Sequence, residues 1–346
     1  MRILDKRLHY KDVMIVPQLS DSKSRADVKV TRQLKSKHGK YEFVSVPICV
    51  ANMDSCGTIE MANVINPHGG LVAIHKFYSE EDIINLLRNH FFDFNFYTLG
   101  LNDFDKLSHV IDSVGDIPNL ICLDAPNGYI ETFKILVEKL RKLCPNSFIM
   151  AGNVVTTTAT VRIIEAGADC VKVGVGPGRF CNTSNVTGIG YPQLSAVIEC
   201  SAAAHKLNAY VCADGGIKEI GDINKAFVAG ADLVMCGSLF MGFEENSGEW
   251  DYRYKASWDC KPDTDNKFQE KYRLKVYGMS SKEAQEKYYG GQADYRASEG
   301  CCEYVEYKGK VEPFWKEIIG GIRSCATYVG AASIKDFNKC GDFVIC

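Results

Sequence analysis

The sequence predicts an α/β protein folded as a closed (β/α)8 TIM barrel. Eight apolar runs of strand length recur at nearly even spacing, and amphipathic segments lie between them. Short apolar runs that alternate with helices are typical of a parallel sheet whose strands are buried on both faces. Eight such units without a second shift in composition favour a closed barrel over an open sheet. We therefore expect one domain over residues 1–346.

The predicted barrel strands cover residues 46–50, 71–74, 94–99, 120–123, 148–151, 170–173, 209–212 and 233–236. Between them, apolar positions three and four apart predict helices such as residues 80–89, 130–143, 157–165, 193–206 and 220–229.

Composition excludes several classes of function. The chain has 346 residues, a net charge of −3 and no basic cluster, which argues against nucleic-acid binding. The N-terminus lacks the apolar core of a signal peptide and no segment approaches a membrane span, so we expect a cytoplasmic protein that binds a small molecule. The 15 cysteines are scattered through apolar runs without Cys-x-x-Cys spacing, which predicts reduced core residues rather than disulfides or zinc ligands.

Polar and glycine residues follow the predicted strands, at the end of the barrel where active sites of this fold lie. They occupy residues 51–54, 75–76, 124–128, 152–153, 214–216 and 237–238. The glycine turns at 214–216 and 237–238 follow the last two strands, where such barrels often bind phosphate through backbone amides. Ordinary strand-to-helix turns, one of them with a serine cap, explain these residues equally well.

The longest connection between predicted strands carries residues 174–190, which we call the Cys loop. Gly174, Gly176 and Gly178, together with Pro177, exclude a helix there and present Cys181 on a loop. A thiol in this position is placed to act as a nucleophile once it is a thiolate. The competing interpretation is an inert buried thiol, which is the usual role of a free cysteine.

The chain changes character after the eighth predicted strand, and we expect a flap at residues 278–300. Residues 244–273 are rich in charge and aromatics without a clear period, which predicts an excursion over the surface. Residues 278–281 are followed by a helical segment with a serine cap, and the polar, glycine-bounded residues 290–300 have the character of a mobile segment. Glu299 by itself is typical of a solvated surface charge.

Nine motifs together resemble one family over nearly the whole chain. They lie at residues 50–54, 73–76, 149–155, 176–181, 188–193, 214–216, 277–280, 295–300 and 320–324. With them the chain resembles the guanosine monophosphate (GMP) reductase family, in the superfamily shared with inosine monophosphate (IMP) dehydrogenase. The flap motif at residues 297–300 and the absence of an inserted regulatory domain resemble the reductase.

The resemblance implies NADPH-dependent reductive deamination of GMP to IMP, with release of ammonia, in purine interconversion and salvage. Cys181 would attack C2 of GMP, and a hydride from the reduced nicotinamide would convert the covalent thioimidate to IMP. Thr183 and Glu299 match the pair to which the family assigns proton delivery to the leaving amine, and Glu299 would serve only when the flap closes.

The resemblance also implies the binding residues. Asp214 would hold the ribose hydroxyls, Met279 the base, and four residues the phosphate: Gly216, Gly237, Ser238 and Tyr277. The rest of the expected substrate set is Gly215, Gly278, Ser280, Arg296, Ala297, Ser298 and Gly300. The cofactor positions are Ser24, Arg25, Lys76, Asp124, Ala125 and Pro126, with Arg296 and the segment Ser324, Cys325, Ala326 and Thr327 reaching in from a neighbouring subunit of a homotetramer.

A potassium site is implied as well, built from backbone groups of Gly176, Gly178, Cys181 and Ser184. Arg179 in the same loop departs from the family pattern, because it stands where the family usually has a serine that contacts the phosphate. Two alternatives remain: an IMP dehydrogenase, against which the flap sequence argues, and a nucleotide-binding regulatory protein that has lost turnover.

Overall fold

The computed structural model of the chain describes residues 5–254 and 269–346. Its strands are β1 (Val13–Val16), β2 (Arg32–Lys35), β3 (Glu42–Ser45), β4 (Ile48–Val50), β5 (Leu71–Ile74), β6 (Asn95–Leu99), β7 (Leu120–Asp124), β8 (Phe148–Val154), β9 (Cys170–Val173), β10 (Tyr210–Asp214), β11 (Leu233–Cys236), β12 (Trp250–Tyr254), β13 (Gln269–Tyr277), β14 (Cys302–Glu306) and β15 (Asp342–Ile345). Its helices are α1 (Ile59–Ile65), α2 (Glu80–Arg88), α3 (Phe104–Val114), α4 (Glu131–Leu143), α5 (Thr157–Glu165), α6 (Thr183–Thr187), α7 (Gln193–Lys206), α8 (Ile220–Val228), α9 (Lys282–Tyr289), α10 (Val311–Val329) and α11 (Phe337–Cys340).

Strands β4 to β11 form the closed barrel, and the predicted fold class is confirmed. They pair in parallel in chain order, and β11 returns to β4. All eight predicted strands are present, with ends that differ by up to three residues. The first begins at Ile48 because Pro47 has no N–H to donate to a neighbouring strand. The barrel strands are buried on both faces, which explains why the runs that predicted them are mostly apolar. Asn95, Thr98 and Lys172 are buried polar residues within them.

A two-stranded hairpin, β2 and β3, covers the N-terminal end of the barrel. Its contacts go to residues that stand directly before barrel strands: Arg32 pairs with Asp232, and the Ser36 hydroxyl lies 2.8 Å from Asp169 Oδ1. Asp169 also accepts from Arg141 at 2.6 Å, so this buried carboxylate is neutralised. With this end closed by the hairpin, the opposite end, which we call the rim, is the one left for a site.

The surface excursion predicted at residues 244–273 contains regular strands in its described part, which the lack of a clear period did not indicate. Residues 250–254 form β12, which pairs antiparallel with β13, and β13 pairs with β14. Charge pairs join the first two strands, with Arg273 Nε 2.6 Å from Asp251 Oδ2. A register shift between Asp251 and Tyr252 interrupts the alternation of side chains, so no regular period shows in the sequence. Residues 255–268 of that prediction lie outside the described residues.

The outer helices follow the amphipathic segments of the sequence. Helix α9 begins after Ser281, whose hydroxyl accepts from the Ala284 amide at 3.2 Å, as the serine cap predicts. Helix α10 packs against α8 and α1 on the outside of the barrel. None of the helices within residues 5–254 and 269–346 is long and apolar enough to cross a membrane.

Candidate active site

Three side chains predicted to act together are in hydrogen-bonding contact at the rim. Cys181 Sγ lies 3.3 Å from Thr183 Oγ1, and the Thr183 hydroxyl donates to Glu299 Oε2 at 2.8 Å. Cys181 and Thr183 are two residues apart, whereas Glu299 comes from the flap, 116 residues further along the chain. A half-buried thiol is therefore linked through one hydroxyl to a carboxylate, which is an arrangement that can carry a proton to or from the reacting centre.

Backbone contacts hold the flap residue Glu299 in this position. The Asn182 amide donates to the Glu299 carbonyl at 2.7 Å, and the Cys301 amide donates to the Phe180 carbonyl at 3.1 Å. Gly300 lies opposite Cys181 in an antiparallel bridge. The end of the flap is thus paired with the Cys loop like a short strand, so the position of Glu299 depends on backbone pairing.

The Cys loop passes close over the end of β10, and glycine makes this possible. Gly174 has φ +157°, and a Cβ built there would lie 1.9 Å from the Asp214 carbonyl oxygen. Gly215 has φ +89° and faces the loop, where its Cβ would lie 3.1 Å from Pro177 Cγ and 3.3 Å from the Gly178 amide. These contacts bring the predicted substrate turn at Gly215 and Gly216 against the Cys loop.

The base of the flap is anchored by a contact that the sequence analysis did not identify. Asp54, at the end of the segment after β4, accepts from the Tyr277 and Tyr288 hydroxyls at 2.7 Å each and from Lys287 Nζ at 3.0 Å. Burial raises the pKa of the Asp54 carboxyl, but these three donors outweigh it and lower that pKa. The Tyr288 ring also stacks on Phe77, with ring centroids 3.6 Å apart. The Tyr277 hydroxyl, predicted to hold a phosphate, is thus engaged by Asp54 here.

A buried charge cluster lies under the rim beside the Cys loop. Lys172 Nζ is 2.6 Å from Asp124 Oδ1 and 2.5 Å from Asp214 Oδ2. The Asn153 side-chain amide also donates to Asp214 Oδ2, at 2.8 Å. Asp124 and Asp214 were predicted site residues, whereas Lys172 and Asn153 were not. The available signal for Lys172 was a lysine inside an otherwise apolar run of four residues, Cys170 to Val173.

The remaining predicted substrate residues are divided between the rim and the exposed part of the flap. Ser238 begins a 3-10 turn after β11, and its hydroxyl donates to the Ile217 carbonyl at 3.4 Å. A Cβ on Gly237 would lie 3.2 Å from Met53 Sδ, so the backbone there is closely packed. Arg296 and Ala297 are exposed, and the Arg296 guanidinium lies 5.8 Å from the Tyr295 ring centroid rather than against another predicted site residue. Contacts of the flap also place Gly278, Ser280, Ser298 and Gly300 beside the Cys loop or α9. Met279 lies between Gly278 and Ser280 in the chain.

The predicted cofactor residues fall into two groups. Lys76 belongs to the rim, because a Cβ built on Gly100 would lie 2.7 Å from Lys76 Nζ. The positive charge of Lys76 helps to lower the pKa of the Asp124 carboxyl. Ala125 and Pro126 follow Asp124 directly. The second group lies around the outer helix α10: the turn Arg25–Asp27, capped by the Ser24 hydroxyl, packs against α10, which itself contains Ser324, Cys325, Ala326 and Thr327.

Within the described residues, no hydrogen bond or ion pair joins the second group to Lys76 or Asp124. The chain after α10 pairs with Lys29, whose amide donates to the Ala332 carbonyl at 3.0 Å, and Lys29 leads into the hairpin that covers the N-terminal end. The structure therefore does not bring Ser24, Arg25 and the 324–327 segment together with Lys76 in a single chain.

Backbone carbonyls in the Cys loop are compatible with a monovalent cation. No donor of the described residues reaches the carbonyl oxygens of Gly176 or Cys181, whereas those of Gly178 and Ser184 each accept one amide. A Cβ on Gly176 would lie 3.5 Å from Ser184 Cβ, and one on Gly178 would lie 3.4 Å from Cys181 Cβ, so the four residues are close together. Carbonyl oxygen is a suitable ligand type for potassium. Within the described residues, no group of three or more His, Cys, Asp or Glu side chains could hold a metal ion.

Arg179 does not point to the glycine turns where phosphate binding is predicted. Its guanidinium pairs with Glu303 on β14, with Nε and Nη2 at 3.0 and 2.8 Å from Oε2. This exposed pair joins the Cys loop to the strand that follows the flap. Exposed pairs of this kind stabilise by about 1 kcal/mol or less.

Cys181 differs from the buried cysteines of the chain. All cysteines of the described residues are free, and eight of them are buried. Burial raises the pKa of thiols such as Cys122, Cys170 and Cys212, which keeps them protonated and unreactive. Cys181 is instead half-buried on a loop with a hydroxyl in contact, which favours the nucleophile over the inert core residue.

Comparison with known proteins places this geometry in a family. The family model described as IMP dehydrogenase / GMP reductase domain matches residues 7–89 and 99–346. GMP reductase 1 of Homo sapiens is 43% identical over 345 residues, which cover 98% of this chain and 95% of the relative. GMP reductase 2 of Homo sapiens is 42% identical over 350 residues, covering 98% and 94%. The GMP reductase of Photobacterium profundum is 42% identical over 345 residues, covering 98% and 95%. The chain belongs to the IMP dehydrogenase / GMP reductase family.

Proposed function

We propose that this protein reduces GMP to IMP, with NADPH as the hydride donor and ammonia as the second product. The observation that carries the proposal is the contact chain from Cys181 Sγ through Thr183 Oγ1 to Glu299 Oε2, at 3.3 and 2.8 Å. The relatives that match over nearly the whole chain are named GMP reductases, which supports reduction over oxidation.

Cys181 acts as the nucleophile in this proposal. Its thiolate forms a bond to C2 of GMP, and the C2 amino group leaves as ammonia after it gains a proton, which leaves a thioimidate on Cys181. The amine is a poor leaving group, so the step needs a proton at its nitrogen. Glu299 and Thr183 deliver that proton, because they form the one hydroxyl-to-carboxylate path that touches the thiol in the described residues.

NADPH, when bound, supplies the hydride that reduces C2, after which the bond from C2 to Cys181 Sγ breaks and IMP leaves. We assign the contacts of NADPH to Lys76, Asp124, Ala125 and Pro126 at the rim. The buried Asn153 Oδ1 has no partner in the described residues, so it can accept a hydrogen bond from a ligand there. Lys76 is suited to a phosphate group of the cofactor. Paired to the Cys loop, the flap keeps water from hydrolysing the thioimidate.

Substrate binding is assigned to the turns around the Cys loop. Asp214 holds the ribose hydroxyls, and Gly216, Gly237 and Ser238 hold the phosphate, since backbone amides at these turns suit an anion. We also propose that carbonyls of Gly176, Gly178 and Cys181, with Ser184, hold potassium, which stabilises the conformation of the Cys loop. Replacing potassium by tetramethylammonium in the assay tests this, and unchanged turnover contradicts it.

The proposed assembly is a homotetramer with shared cofactor sites. Its support is the separation of Ser24, Arg25 and the 324–327 segment from Lys76 within one chain, because a neighbouring subunit can supply the second group. Sedimentation velocity tests the oligomeric state, and mixing Arg25→Ala with Lys76→Ala subunits tests sharing: recovery of activity in mixed oligomers is expected, and its absence contradicts shared sites. A cytoplasmic location stays a prediction of the sequence, tested by cell fractionation.

The test of the reaction is nicotinamide absorbance after mixing the purified protein with GMP and NADPH, beside an ammonia assay and the Cys181→Ala variant. Loss of absorbance with an equal amount of ammonia, absent in the variant, is the expected result. Activity on IMP with NAD⁺ instead identifies a dehydrogenase. Tight nucleotide binding without any turnover identifies a regulatory protein, and turnover by the variant overturns the thioimidate.

A further inference from the structure

One buried lysine lies between two carboxylates that belong to different parts of the candidate site. Lys172 Nζ contacts Asp124 Oδ1 at 2.6 Å and Asp214 Oδ2 at 2.5 Å, across strands β7, β9 and β10. The Lys172 side chain is 3% exposed, whereas those of Asp124 and Asp214 are 29% and 20% exposed. The cation is therefore inside the barrel, and its two partners reach the rim where ligands bind.

The position of the Lys172 side chain is confined by its neighbours. A Cβ on Gly152, in the strand between β7 and β9, would lie 2.6 Å from Lys172 Cβ and 2.2 Å from its carbonyl oxygen. Only glycine leaves this space free, so the lysine stem passes against the backbone of β8. The ammonium has three N–H donors, and at these distances it cannot move toward one carboxylate without leaving the other.

The charges of this cluster are strongly interdependent. Burial of Lys172 lowers the pKa of its ammonium, but Asp124 and Asp214 outweigh it, and the net effect raises that pKa. Burial raises the pKa of Asp124, and Lys172 outweighs that effect in turn. Without the lysine, two carboxylates would face each other across a buried space with no cation between them, which is unfavourable for both.

The free atoms of the cluster point to its role. Asp214 Oδ2 accepts from both Lys172 and Asn153, while Asp214 Oδ1 accepts from no donor within residues 5–254 and 269–346. One oxygen is thus held by the protein, and the other is left for a ligand. A ligand that donates to Asp214 restrains the cluster, and through Lys172 it restrains Asp124.

We propose that Lys172 is a positioning residue that couples nucleotide binding at Asp214 to cofactor binding at Asp124. The inference rests on the proposed function, which assigns each carboxylate to one ligand. The first ligand orders the shared cluster, so the second meets an ordered carboxylate and loses less conformational entropy on binding. The coupling is positive, and it is equal in both directions.

The test measures this coupling at equilibrium without turnover. In a Cys181→Ala background, the Kd for NADPH is measured by calorimetry with and without saturating GMP, and the Kd for GMP with and without NADPH. We expect each ligand to tighten the other by about 5-fold or more, a typical size for such coupling. Lys172→Met should weaken both ligands and bring the coupling factor to about 1, and Lys172→Arg should restore part of it because it keeps the cation.

Three control variants separate the possible failures. Lys172→Met combined with Asp124→Asn keeps the net charge of the cluster, so the protein should not unfold through repulsion between two unpaired carboxylates. This double variant should bind GMP but show no coupling between GMP and NADPH. Lys225→Met removes a lysine that pairs with Asp222 at 3.3 Å on α8, and it should change stability but not coupling. If Lys172→Met lowers the melting temperature but leaves both affinities and the coupling unchanged, the lysine is only structural and the inference is overturned. If Asp214→Asn leaves GMP affinity unchanged, the assignment of Asp214 is wrong and the inference falls with it.

Discussion

Replacing Thr183 by valine removes the hydroxyl that connects the thiol to the carboxylate while it keeps the shape of the side chain. The hydroxyl lies 3.3 Å from Cys181 Sγ and 2.8 Å from Glu299 Oε2, so valine breaks both contacts at once. A β-branched residue is retained at the first position of α6, so the helix start is preserved. Glu299 itself stays in place, because the Asn182 amide holds its backbone.

The expected magnitude differs between the two half-reactions. Loss of one hydrogen bond to the thiol costs about 1 kcal/mol, or about 5-fold in formation of the covalent adduct. Loss of proton delivery to the leaving amine should slow ammonia release by about 100- to 10,000-fold, which is the usual contribution of a positioned acid. The larger effect decides the overall rate, so turnover of GMP with NADPH should fall about 100-fold or more.

Two assays separate these steps. Steady-state loss of NADPH absorbance with GMP reports the whole reaction. In the reverse direction, IMP and NADP⁺ with stoichiometric enzyme yield the thioimidate and NADPH without any ammonia, which reports adduct formation and hydride transfer alone. Thr187→Val is the matched control, because Thr187 lies at the other end of α6 and its hydroxyl contacts only backbone. Equal losses in both assays would show that Thr183 acts on the thiol and not as a proton path.

Three further predictions concern the carboxylates around the site and the base of the barrel. Glu299→Gln should slow ammonia release at least as much as Thr183→Val does, while the stoichiometric reaction of IMP with NADP⁺ persists. An equal loss of both reactions contradicts a role of Glu299 in proton delivery. Asp54→Asn should destabilise the protein by about 1–3 kcal/mol, because the Lys287 ammonium loses its carboxylate partner. It should also speed proteolysis within residues 290–297. Unchanged proteolysis contradicts an anchoring role of Asp54. His205→Gln removes a histidine whose pKa is raised by its hydrogen bond to Asp232. Below the ordinary histidine pKa of 6.5, the wild type should therefore be more stable than the variant by about 1 kcal/mol or less. This advantage should disappear as the pH rises through the raised pKa of His205. Urea unfolding at pH 6 and pH 9 measures this difference, and a larger advantage at pH 9 contradicts the sign.

The barrel could be predicted from local pattern because each strand carries its own evidence. A run such as Leu71 to Ile74 is buried on both faces and therefore apolar at every position, and the spacing of such runs indicates the number of units. The rim could be predicted for a similar reason, since polar residues follow strand ends in the sequence itself. The aperiodic residues around Asp251 show the limit, because a register shift removed the pattern while the strand remained.

The Cys loop was also a local prediction, because Gly174 and its neighbouring glycines indicate a sharply turning backbone wherever they occur. Glu299 had no such signal. Its sequence neighbourhood is that of a surface segment, and its contact with Thr183 exists because the flap pairs with the Cys loop in one register. From the sequence, only resemblance to a family assigned it a role.

The sequence by itself thus determined the barrel, its polar rim and the placement of Cys181 on a glycine-rich loop, because these follow from hydrophobic periodicity and backbone conformation over a few residues. The tertiary structure alone decided which charges meet. Lys172 bridges Asp124 and Asp214 because β7, β9 and β10 curve around one barrel with a particular stagger, and Asp54 reaches Tyr277 across 223 positions of sequence for the same kind of reason. Contacts between distant residues depend on the order and register of the strands, and no local pattern records them.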